Sequence, residues 1–111
     1  MKSALVFLGA CLLNVVHAQI TEAVSESIAK ERSSLAAQRS AVQREFDVQS
    51  EACWQRFAVN DCISKARRVR RTQLEPIRQA ELALNEQERQ WRTLQRNQRV
   101  QGKQEEGAVK P

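Results

Sequence analysis

Two stripes of apolar residues organise this chain. In the first half Val24, Ile28, Leu35, Val42, Phe46, Cys53 and Phe57 follow one another at steps of four or seven, which keeps them on one face of a helix. In the second half Ile63, Ile77, Leu84 and Trp91 fall at multiples of seven, with Arg70 in the missing slot. Ala66, Ala80 and Leu94 lie three residues after members of that series. Gln38, Gln49, Arg70, Gln73 and Gln87 interrupt both stripes, so the pattern predicts a thin coiled-coil-like seam rather than a deep core.

Backbone punctuation agrees. Between Gln19 and Gln101 there is no glycine, and Pro76 is the only proline. Ala, Gln, Glu, Arg and Leu dominate, all good helix formers. No stretch alternates in the manner of a strand. The predicted fold is all-α: two long antiparallel helices, one from about Thr21 to Phe57 and one from about Asp61 to Arg99, each roughly 55 Å long. Asn60 or Asp61 is expected to cap the second helix, and Phe57 and Val59 to pack over the corner. Pro76 lacks an N–H and crowds the preceding turn, so the second helix should be kinked, or else broken, near it. Gly102, Gly107 and Pro111 mark residues 102–111 as a frayed or disordered tail.

The N-terminal end has a different character. Met1-Lys2 is a charged start, Ala4 to Val16 is an apolar run, and Val16-His17-Ala18 is a small-residue cleavage pattern. This is the layout of a secretory signal peptide over residues 1–18, with cleavage between Ala18 and Gln19. The expected compartment is therefore the periplasm or the exterior. Lipid attachment at Cys11, within Leu8-Gly9-Ala10-Cys11, is the alternative; against it, the apolar run continues beyond the cysteine. The remainder has no apolar segment long enough to span a membrane. Cleavage leaves 93 of 111 residues, with 17 Lys/Arg against 13 Asp/Glu, a formal net charge of +4. That is one small domain at most.

Cleavage also leaves two cysteines, Cys53 and Cys62. A continuous helix would hold residues nine apart at about 13–14 Å, whereas a disulfide needs Cα atoms within about 7 Å. If bonded, they staple a turn between the helices. An oxidising compartment and the even count favour the bond, and the alternative is two reduced, buried thiols. Cysteine pairing sets a register in which opposed residue numbers total about 115. Leu35 then meets Ala80, Val42 meets Gln73 or Leu74, and Val24 meets Trp91. The basic run Lys65, Arg67, Arg68, Arg70 and Arg71 would lie opposite Glu45, Asp47 and Glu51.

The decapeptide Cys53-Trp54-Gln55-Arg56-Phe57-Ala58-Val59-Asn60-Asp61-Cys62, the basic helix after it and Leu84-Asn85-Glu86-Gln87-Glu88-Arg89 resemble a group of small exported helical proteins of unknown function from Gram-negative bacteria. The likeness covers roughly residues 45 to 96. It implies a periplasmic helical protein and supplies no catalytic residues.

Inventory argues against catalysis. His17 is the only histidine and leaves with the signal segment, there is no tyrosine, and no glycine loop precedes Gly102. The commonest general base, metal ligand and phosphate cradle are thus missing. No catalytic residue, metal site or cofactor is expected. The basic run is a candidate anion-binding patch, though a solvated helix face, partly neutralised by the opposite arm, is the favoured reading. Export makes nucleic acid the weakest partner. The expectation is a non-enzymatic binding protein whose partner is a second copy or another envelope component. The alternatives are a chaperone-like holder of unfolded envelope proteins and a binder of anionic envelope surfaces through the basic arm. Trp54 and Trp91 are expected to be packing residues.

Overall fold

The computed structural model describes the backbone of residues 5–110 and the side chains of residues 19–110. The signal segment 1–18, with Cys11 and the Ala18 side of the cleavage site, thus lies outside the described side chains, as does Pro111. Two helices make up the fold: α1, Leu5–Cys53, and α2, Val59–Val109. They pack against each other as an antiparallel hairpin, a rod of 90 × 27 × 15 Å.

Both helices differ from the sequence expectation at their ends. The first stops at Cys53, four residues short of Phe57, and the second starts at Val59. The segment 102–110, expected as a disordered tail, is helical through Val109. Gln, Lys, Glu and Ala outnumber the two glycines there, and neither glycine takes the positive φ that would end a helix.

The helix also runs unbroken through Pro76, which overturns the alternative of a break. Packing explains this. Leu74, Ile77 and Ala80 flank the proline and all belong to the seam against α1. Tertiary burial holds the helix together across one missing hydrogen bond.

The core is as thin as the stripes predict. Ile28 and Leu35 of α1 and Ile77 and Leu84 of α2 are buried, with Val42, Leu74 and Ala80 packed against them. Cys53 and Ala66 form a second buried spot near the corner. Phe46, Ile63 and Trp91 are half-buried, whereas Val24, Leu94 and Phe57, also read as seam residues, are exposed.

Two ion pairs tie the arms along the edge of this seam. Arg32 Nη2 donates to Glu88 Oε2 at 2.5 Å and to Asn85 Oδ1 at 3.2 Å. Arg39 forks onto Glu81, its Nε and Nη2 donating at 3.2 and 2.6 Å. Each Arg and each Glu sits four residues after a buried seam residue, and both pairs repeat at seven, as flanking positions of a coiled coil do. The residue numbers of both pairs total 120, against 115 for the cysteines. Side chains on a helix lean toward its N-terminus, so in antiparallel arms two long side chains that meet come from higher-numbered positions on both arms.

The candidate site: a stapled corner with a basic collar

The corner consists of residues 54–58. Trp54, Gln55 and Arg56 donate their backbone N–H groups to the carbonyls of Glu51, Ala52 and Cys53, at 3.2, 3.3 and 3.0 Å. These i→i−3 bonds tighten the last turn and satisfy carbonyls that the end of α1 would leave open. The chain then reverses without any described residue adopting positive φ.

The staple is present. Cys53 and Cys62 are disulfide-bonded with Cα atoms 5.5 Å apart. Cys53 ends α1 and Cys62 lies in the first turn of α2, where its N–H donates to the Ala58 carbonyl at 3.1 Å. The predicted capping is not realised. Ala58 is the N-cap, no side chain caps the helix, and Asn60 and Asp61 lie inside the first turn. The helix thus begins at Val59, ahead of both predicted caps. From its place Asp61 still puts negative charge near the positive end of α2, and it pairs with Lys65 at 2.8 Å.

The outer corner departs furthest from expectation. Phe57 and Trp54, read from the sequence as packing residues, have relative exposures of 109% and 70%. Val59 is half-buried and Arg56, between the two aromatics, is exposed. The five-residue turn is too short to fold side chains back over the disulfide, so they project from the end of the rod. A cavity of about 420 Å³ lies under the corner, lined in part by Cys53, Arg56, Cys62, Lys65, Ala66 and Val69.

The basic residues divide. Lys65, Arg67, Arg68 and Arg71 are exposed, and Arg67, Arg68, Arg70 and Arg71 line a shallow groove of about 360 Å³ with Ser64. Among the described residues none of them forms an ion pair across to Glu45, Asp47 or Glu51, contrary to the predicted charge pairing. Glu45 and Asp47 instead accept hydrogen bonds from Gln49 and Gln43 of their own helix. Arg70 is half-buried. Its guanidinium lies 4.0 Å from the centroid of Phe46, and its Nη1 donates to Gln43 Oε1 at 3.5 Å. The missing slot in the apolar stripe is thus filled by a cation over an aromatic face.

Away from the corner, the hydrogen bonds from Arg39 hold the Glu81 carboxyl below its ordinary pKa, and Glu81 in return raises the Arg39 guanidinium. Arg89, with Gln90, does the same for Glu86 on one face of α2. Arg92 also pairs with Glu88. Among the described residues no cluster of His, Cys, Asp and Glu could hold a metal ion, and no helix is long and apolar enough to cross a membrane.

The fold and this corner define a class, the disulfide-stapled helical hairpin. No protein-family model, curated protein or solved structure matches the chain.

Proposed function

We propose that this hairpin is a non-enzymatic binding protein of an oxidising compartment and that its arms associate with a second copy of the chain. The observation that carries this reading is the mismatch between length and core. Four buried seam residues serve a rod 90 Å long, while Ile20, Val24, Leu82, Leu94 and Val100 stay exposed along its arms. Long helices draw most of their stability from tertiary packing, and pairing two hairpins into a four-helix bundle would bury more of each arm. The secretory pattern of residues 1–18, the disulfide and the resemblance to small exported helical proteins support the compartment.

Sedimentation equilibrium over a range of micromolar concentrations tests it. The expected species is a dimer of the 93-residue chain that cleavage after Ala18 leaves. Leu94→Glu, at a position exposed in the single hairpin, should shift the equilibrium to monomer while helicity is kept. A wild-type chain that remains monomeric at about 100 µM, well above the Kd of about 1 µM that some 8 kcal/mol of association energy implies, would overturn the reading. A partner protein recovered in its place would redirect it to a hetero-complex.

A further inference from the structure

The chain is poor in aromatic residues, with two tryptophans, three phenylalanines and no tyrosine. Two of these five, Trp54 and Phe57, stand at the outer end of the rod with most or all of their surface in solvent. They add almost nothing to the fold there. A disulfide one residue before Trp54 fixes the turn that carries them. Arg56 lies exposed between them.

Behind this apex comes the collar. From the start of α2, Lys65, Arg67, Arg68 and Arg71 stand roughly 9–18 Å up the rod at the standard rise. From Arg44 to Arg71 there are seven Arg and Lys residues against four Asp and Glu. Asp61 and Lys65 neutralise each other, which leaves six bases against three acids.

We infer that the corner is a docking apex for an anionic lipid surface, with Trp54 and Phe57 entering the headgroup boundary and Arg56 and the near end of the collar meeting the lipid phosphates. The shape favours lipid over protein. The apex is the convex end of a rod only 27 × 15 Å across, so two projecting aromatics need a partner that deforms around them. Trp and Phe carry the apolar payload of interfacial anchoring, and Arg and Lys extend toward headgroups along apolar stems. Two exposed aromatics hold a bilayer weakly, and stable attachment requires a second signal, which Arg56 and the near end of the collar supply within about a Debye length of the surface. Docking end-on leaves both arms free, so this site does not depend on self-association and is tested separately from it.

The test uses the full chain with vesicles of equal phosphatidylglycerol and phosphatidylcholine, and with phosphatidylcholine alone. Trp91→Phe leaves Trp54 as the sole tryptophan. With anionic vesicles its emission should shift to the blue, and acrylamide quenching should fall several-fold. Trp54→Ala/Phe57→Ala should keep helicity, since neither side chain packs, and should lose at least about tenfold in vesicle partitioning, the scale expected for removing two buried aromatics. Added salt should weaken wild-type binding. Undiminished partitioning of the double variant would overturn the inference. So would vesicle binding that leaves Trp54 open to acrylamide, as attachment through the N-terminal apolar segment or along the arms would do. Equal binding to phosphatidylcholine alone would remove the anionic requirement.

Discussion

Reducing the Cys53–Cys62 bond is the perturbation whose size follows most directly from this structure. The bond closes a loop of ten residues, counting both cysteines, since their separation is 9. On the chain-entropy description such a loop removes about 9 cal/mol/K from the unfolded state, or about 2.7 kcal/mol at 25 °C. Domains of this size have roughly 5–15 kcal/mol in total, and a seam with four buried side chains argues for the lower half of that range. The staple then supplies about a quarter to a half of the stability. The assay is urea unfolding followed by helical circular dichroism, with and without a thiol reductant, at a fixed protein concentration. The midpoint should fall by an amount equivalent to 2–3 kcal/mol. The slope should rise slightly, because an uncrosslinked unfolded chain exposes more surface. The Cys53→Ala/Cys62→Ala chain should behave like the reduced one, apart from the lost packing of Cys53, which is only 1% exposed. A loss below about 1 kcal/mol in both chains would refute the argument, since the uncrosslinked unfolded chain would then already keep the two cysteines close.

Leu84→Ala should cost about 2–5 kcal/mol by thermal or urea unfolding, since Leu84 is 2% exposed at the centre of the seam; Val109→Ala, at 83% exposure, should stay within about 0.5 kcal/mol. Pro76→Ala restores an N–H inside a continuous helix and should stabilise the hairpin by about 1–3 kcal/mol, read as a rise in urea midpoint. The Glu81 carboxyl is held below its ordinary value of 4.5 by Arg39. Its contribution is therefore present above pH 4.5 and is lost as acid takes the pH down through the depressed folded value. The melting temperature should fall over that acid range, and Glu81→Gln should flatten the fall; an unchanged profile would show that the pair is fully screened by solvent.

Periodicity alone determined much of this protein. Steps of four and seven require helices, and the absence of glycine from residue 19 to residue 101 lets them run long. The cysteine spacing, once bonded, requires a reversal between them. These are local properties, written in the order of residues along one arm. The arginines and glutamates spaced at seven, Arg32 and Arg39 against Glu81 and Glu88, are legible in the sequence as seam-flanking positions, each four residues after an apolar seam residue. Only the tertiary structure decided the rest. The arms meet at a total of 120 where long side chains lean together, which no linear spacing records. Ala58 rather than Asn60 or Asp61 opens α2, its carbonyl accepting the Cys62 N–H. The seam carries the helix through Pro76, since packing against α1 outweighs one lost hydrogen bond. Phe57 continues the apolar stripe on paper yet stands in solvent, because α1 ends at Cys53 and a residue beyond a helix end no longer shares its face. Spacing assigns a face only while the helix lasts, and where it stops is set by the contacts between the arms.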